Sequence, residues 1–205
     1  MEIIHQKACE VSEKFWEQIR TLNQKIIPSS LYDQSLYAGG CLQLTCDNAI
    51  AKAQQTSSAE VLLCRIDEQF IGYMIFYCDE NPPSIQPRLD KYSHLGRVGY
   101  SDMLVVDPAF QRLGYSKKIR ACMKEIGRNA KIDVFMTFVR SLPIPNLSSF
   151  IALRQAGAVS GRNFLLTERN LTNFDGLIQD LCLELLYPTD ERKLTSNELG
   201  LIHWV

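Results

Sequence analysis

The sequence predicts an α/β fold, and three observations carry that prediction. Apolar residues recur at three- and four-residue steps over residues 10 to 26 (Val11, Phe15, Ile19, Leu22 and Ile26) until Pro28 stops the pattern, which marks an amphipathic helix. Two runs rich in β-formers, Val61 to Ile66 and Phe70 to Tyr77, flank Asp67-Glu-Gln and read as a hairpin. A further apolar run, Val98 to Val106, stops before Pro108 and leads through a turn into the basic amphipathic segment Lys117 to Arg128, giving strand, loop and helix in succession.

The remaining elements follow along the chain. Glu2 to Ile4 is a short first strand, and Pro28 to Asp33 is a connection. Residues 46 to 55 form a second short helix with Asp47 as its N-cap. The polar stretch Asp79 to Arg97 carries Pro82, Pro83 and Pro87, and it reads as a long substrate-facing loop. In the basic helix Ile119, Cys122, Met123 and Ile126 share one face, and Gly127 falls where the helix can fray or end. Ile132 to Arg140 and Ser160 to Thr167 read as strands. Asn173 to Leu186, with Leu177, Ile178, Leu181, Leu185 and Leu186, reads as an amphipathic helix, a candidate dimer surface or a wall of the acceptor site. Leu199 to Val205 reads as a final strand.

Composition bounds the function. The chain has 205 residues, 46% hydrophobic and 22% charged, enough for one sizeable core, and 1–205 is read as one domain. A net charge of −1 gives no reason to expect nucleic acid or a membrane surface as partner. No apolar run approaches the length of a transmembrane helix, and Met1-Glu-Ile-Ile-His-Gln-Lys is not a secretory leader. The seven cysteines are odd in number and form no C-x-x-C pair, so free thiols in a cytoplasmic protein are expected, and no metal site. Cys64, Cys78 and Cys122 read as core residues.

The chemistry lies in Leu104-Val-Val-Asp-Pro-Ala-Phe-Gln-Arg-Leu-Gly-Tyr-Ser116. A helix N-terminus offers unpaired N–H groups and a positive dipole end, which suits a phosphorylated ligand. The basic first turn at Lys117 and Lys118 opposes the helix dipole and makes better sense with an anion present. The loop lacks the Gly-Lys-Ser/Thr of a nucleotide-hydrolysing P-loop and is not G-x-G-x-x-G. Its pattern, Gln111-x-x-Gly114-x-Ser116, resembles the pyrophosphate loop of the GNAT-type N-acetyltransferases, Arg/Gln-x-x-Gly-x-Gly/Ala. Leu104, Val106 and Pro108 resemble the Leu-x-Val-x-Pro that leads into it. Pro145 to Ala158 resembles a later motif of the same superfamily, with Asn146, the small Ser149 and Gly157 in place, Leu153 where Tyr is usual and Ala158 where Phe is usual. The resemblance is best over residues 60 to 167, and residues 168 to 205 diverge.

The resemblance implies a mixed, mostly antiparallel central sheet flanked by helices. It implies acetyl-CoA as cosubstrate and direct transfer of its acetyl group to a primary amine. Backbone groups of Leu104, Val105 and Val106 would hold the pantetheine arm and the acetyl carbonyl. Those of Gln111, Arg112, Leu113, Gly114, Tyr115 and Ser116, with Lys117, would hold the pyrophosphate, and Asn146 and Ser149 complete the cofactor-binding set. Asp102, nine residues before Gln111, stands where many members carry a catalytic Glu. Strand alternation would put Tyr100, Asp102, Leu104 and Val106 on one face. A carboxyl withdrawn from water holds a proton more readily, as a general base needs; the competing reading is an Asp paired with a basic residue or sitting where strands splay. An Asp, shorter than Glu, would work through a bridging water.

Leu153 removes the usual Tyr that protonates the departing thiolate. Either the thiolate leaves unprotonated or takes its proton from water, or another residue serves, with Tyr100, Tyr115, Tyr77 and His94 as the candidates; Tyr100 joins Asp102 as the catalytic pair. No acidic groove or peptide-reading element stands out, which favours a small-molecule acceptor over a protein. The rival reading is a CoA-binding regulatory module of the same fold without turnover.

Overall fold

A computed structural model of the chain describes residues 1–26, 43–142, 146–166 and 180–190. Its strands are β1 (Glu2–Lys7), β2 (Ala59–Ile66), β3 (Gln69–Tyr77), β4 (Val98–Val106), β5 (Val134–Leu142), β6 (Val159–Leu166) and β7 (Asp180–Pro188). Its helices are α1 (Glu13–Ile26), α2 (Gln43–Gln55), α3 (Gln86–Leu89), α4 (Tyr115–Asn129) and α5 (Leu147–Gln155). The strands form one sheet in the order β1-β2-β3-β4-β5-β7-β6. Every neighbouring pair is antiparallel except β4 and β5, which run parallel because α4 crosses between them. The predicted mixed, mostly antiparallel sheet flanked by helices is the fold observed.

The sheet is covered on both faces. On the first, Trp16, Ile19 and Leu22 of α1 and Ala49, Ile50 and Ala53 of α2 pack on Val61, Leu63, Tyr73, Ile75 and Tyr77. On the second, Ile119 and Met123 of α4 and Leu153 of α5 pack on Leu62, Met74, Phe76, Phe135 and Leu185. Two-sided burial explains why β2 and β3 read as continuous apolar runs rather than alternating ones. Cys64 and Cys78 lie within the second core, where burial pushes both thiols up to about 12.

Several expectations need correction. Residues 180–188 form β7, between β5 and β6, rather than the second half of a helix over 173–186. The same leucines fit both periods, since Leu181, Leu183, Leu185 and Tyr187 also alternate. Pairing on both sides, to Leu142–Val134 and Leu166–Val159, decides for the strand, and the dimer surface expected on that helix has no basis over these residues. Residues 173–179, the connection after Pro28 and the strand at 199–205 fall outside the described residues.

Asp47 lies inside α2 rather than at its N-cap. The polar stretch 79–97 is no open loop either. It contains α3 and a 3-10 turn, Asp90–Leu95, and buries Leu89, Tyr92 and Leu95 in the first core. There Tyr92 donates to the buried carboxylate of Glu184, and Arg88 lies 3.6 Å from its other oxygen. These groups tie the segment down over β7.

Gly127 does not end α4. An added Cβ there would stand 2.9 Å from Cζ of the buried Phe135 ring and 3.3 Å from Thr189 Cγ2, so the missing side chain lets the helix pack closely on β5. Gly127→Ala is expected to destabilise the protein by roughly 1–3 kcal/mol through overpacking, read as a lower denaturation midpoint in urea. Arg120, also on α4, is buried, and burial lowers its pKa; among the described residues it has no acidic partner. A cation so placed costs stability at neutral pH. Arg120→Met is expected to keep or raise the thermal midpoint, by about 2–4 °C for each kcal/mol gained.

Candidate functional site

The site is set by an interruption in the sheet. β4 and β5 pair over Val98↔Val134, Gly99↔Phe135 and Tyr100↔Met136, and among the described residues their pairing goes no further. Beyond those positions β4 continues to Val106 and β5 to Leu142, so the two strands part. On its other side β4 stays paired to β3, but with a shift: Tyr77 faces Tyr100, Phe76 faces Ser101, and Ile75 faces Met103. Asp102 is the extra residue of this β-bulge.

The bulge corrects the predicted alternation. Tyr100, Met103 and Val105 belong to the first core, and Val106 and Leu104 to the second. Tyr100 and Asp102 do share a face, but Leu104 and Val106 lie on the opposite one. A bulge adds one residue to one strand and so reverses the alternation beyond it.

Asp102 is gripped from both sides. Lys52 Nζ of α2 donates to its Oδ2 at 2.7 Å, and Tyr100 OH donates to its Oδ1 at 2.9 Å. The Asp102 side chain is 4% exposed and that of Lys52 is 25% exposed. The Lys52 ammonium also lies 5.7 Å from the centroid of the Tyr100 ring. Tyr77 stacks on Tyr100 with centroids 5.9 Å apart. Its hydroxyl is buried and finds no partner among the described residues, and burial, then the Asp102 charge, pushes its pKa upward. Tyr77 therefore keeps its proton. The competing reading of Asp102, an ion-paired acid where strands splay, describes its surroundings.

Further along, β4 ends in Asp107, whose side chain accepts the Ala109 N–H at 3.0 Å and caps the short 3-10 turn Pro108–Phe110. Lys25 Nζ of α1 reaches the same carboxylate at 2.7 Å. Burial alone would raise the Asp107 pKa, but the hydrogen bonds from Lys25 and Ala109 and the Lys25 charge outweigh it and hold the group below its ordinary value. The Gln111 side chain donates to the Val106 carbonyl at 3.0 Å, folding the loop back onto the strand.

Arg112 and Gly114 take left-handed φ angles of 64° and 81°. Gly114 is the N-cap of α4, so Ser116 lies in the first turn rather than at the cap. The space that a Gly114 side chain would enter is open, with nothing within 4 Å beyond its immediate chain neighbours. Lys117 and Lys118 are exposed and no acid occupies the first turn, so this helix end presents free N–H groups and positive charge. A pyrophosphate fits such a donor set.

The other expected site residues divide. Leu104, Val105 and Val106 line the edge where β4 leaves β5. Arg112 and Leu113 are exposed, and Tyr115 is half-buried against Phe110, 6.3 Å between centroids. Asn146 caps α5, its Oδ1 accepting the Ser149 N–H at 3.1 Å, which commits both groups to the helix start. Leu153 is core, and His94 is exposed in the 3-10 turn after α3. Lys52 was not foreseen. Its only signal is a place beside the apolar stripe Ala49, Ile50 and Ala53 of α2. Among the described residues no cluster of His, Cys, Asp or Glu could hold a metal ion, and no helix is long and apolar enough to cross a membrane.

No protein-family model matches the sequence, and no curated protein matches it. Solved structures do. A Desulfovibrio desulfuricans protein described as an acetyltransferase of the GNAT family aligns with TM-score 0.62 and 9% identity, over 92% of this chain and 100% of its own. The ribosomal-protein-alanine N-acetyltransferase of Brucella melitensis aligns with TM-score 0.59 and 12% identity, over 92% and 99%. A Salmonella typhimurium protein described as an acetyltransferase, solved with its cofactor acetyl-CoA, aligns with TM-score 0.57 and 15% identity, over 95% and 98%. The chain thus has the fold of the GNAT acetyltransferases across most of its length.

The Asp107 pair gives a pH-dependent prediction. Its folded pKa lies below the ordinary 3.8, so its stabilising contribution is present above 3.8 and fades as pH falls through the lower folded value. Asp107→Asn is expected to lower the thermal midpoint at pH 7. That deficit should shrink between pH 4 and pH 2 in paired melts.

Proposed function

We propose that the chain is an acetyl-CoA-dependent N-acetyltransferase that passes the acetyl group directly to a primary amine, a small molecule being favoured over a protein. The single observation that supports it best is the parting of β4 from β5 at Asp102, with an anion-ready helix end at the far end of the same strand. A long thin thioester lies naturally in that arrangement. Its pyrophosphate meets the N–H groups of Arg112 to Ser116, the Gln111 N–H being turned to the Pro108 carbonyl. Its amide-rich arm adds to the unpaired edge of β4 at Leu104 to Val106. Its carbonyl arrives beside Asp102, where the acceptor amine must lose a proton.

In this reading Asp102 takes the proton, and Tyr100, hydrogen-bonded to Asp102, fixes the carboxylate's orientation. Leu153 leaves no hydroxyl at that position, so the thiolate takes its proton from water or departs without one.

The second reading, a CoA-binding module without turnover, is favoured by one feature: both oxygens of Asp102 already accept hydrogen bonds. Calorimetric titration with acetyl-CoA followed by an acceptor screen for released thiol separates the two. Gly114→Glu is expected to abolish binding without unfolding the protein, because a bulky anion then fills the open space over the loop. Asp102→Asn is expected to reduce turnover by about tenfold to ten-thousandfold with little change in cofactor affinity. Binding without thiol release for any amine would select the module.

A further inference from the structure

Lys52 is a primary amine already standing where an acceptor's amine would have to stand. Its Nζ lies 2.7 Å from a carboxylate oxygen of Asp102, within reach for direct proton transfer. Its side chain is 25% exposed, so it is held yet open to a reagent. The carboxylate belongs to the bulge at the point where β4 parts from β5. On the function proposed above, that point receives the thioester carbonyl. Among the described residues two other lysines are paired with acids in the same way, but not at the Asp102 bulge. Lys7 binds Glu60 at the β1 end of the sheet, and Lys25 binds Asp107 beyond the end of β4. Pairing with an acid is therefore not peculiar to Lys52; among the described residues, pairing with the acid of the bulge is.

We propose that Lys52 is an internal acyl acceptor: in the absence of an external amine the protein acetylates its own Lys52 from acetyl-CoA. The Lys52 ammonium gives one proton to Asp102, and the neutral amine attacks the thioester carbonyl. The new C–N bond forms as the C–S bond breaks. The second proton leaves the nitrogen for the departing thiolate, giving acetyl-Lys52 and free CoA thiol, and Asp102 returns its proton to water. The product amide carries no charge, so the ion pair that holds Asp102 in the resting protein is gone and the carboxylate is released toward an external amine. Proximity supplies the advantage over solution chemistry, because amine and base are already in contact before the thioester arrives.

The test uses the full chain with acetyl-CoA alone. Calorimetry measures binding, and peptide mass spectrometry measures acetylation at each lysine over time. The expected result is saturable binding and release of up to one equivalent of thiol. One acetyl group then sits on Lys52, formed at least tenfold faster than on Lys7, Lys25 or the exposed Lys117 and Lys118. Lys52→Arg, which keeps the charge and the ion pair, should bind acetyl-CoA as the parent does and release no stoichiometric thiol. Asp102→Asn should bind and acetylate at least tenfold more slowly. Saturable binding with no acetyl on Lys52, or with acetyl spread evenly over all these lysines, overturns the inference and leaves the proposed function standing. No binding by the folded protein overturns both.

Discussion

The β-bulge at Asp102 is the constraint on which the rest of the site depends. Without the extra residue, β4 would keep its alternation and Asp102 would be an ordinary member of a paired strand. With it, Tyr100 and Asp102 turn to the face covered by α1 and α2, while Leu104 and Val106 turn to the face covered by α4. Past the same point β5 follows β4 no longer. A strand that is paired on one edge and open on the other is a template for an extended ligand. The bulge thus places an acid, an open edge and a phosphate-ready helix end along one strand.

Charge is handled differently at the two ends of that strand. At Asp107 a buried carboxylate with an amide donor and a lysine is fully engaged in holding the turn that aims α4. At Asp102 the partners are a lysine from α2 and a tyrosine two residues earlier, one to each carboxylate oxygen. A buried ion pair is weak evidence for added stability, because desolvation offsets much of the attraction. Lys52 and Tyr100 hold the Asp102 carboxylate from both sides, one hydrogen bond to each oxygen.

The legible parts of this protein were those fixed by short-range pattern. The hairpin at Asp67 and Glu68, the strand from Val98 to Val106 and the helix after Gly114 could be read directly, because turn chemistry and apolar periodicity act within a few residues. The phosphate-loop reading rested on the same kind of signal, and Gly114 takes the left-handed conformation that makes glycine useful there. Residues 180–188 failed because their leucines satisfy two periods, and only neighbouring strands on both sides select one. The stretch 79–97 read as a long substrate-facing loop because its apolar residues are sparse, yet Leu89, Tyr92 and Leu95 suffice to dock it.

The sequence by itself determined the order of strands and helices around the loop, the loop's suitability for an anion, and the acid at position 102. These depend on residue identity and local spacing. Tertiary structure decided which face Asp102 occupies, that Lys52 from a helix fifty residues earlier is its partner, and that Gln111, Asn146 and Ser149 spend hydrogen-bonding groups on the scaffold. A bulge is defined by the register between two strands and an ion pair by the packing of a helix on a sheet. Neither leaves a trace in the spacing of residues along a single segment.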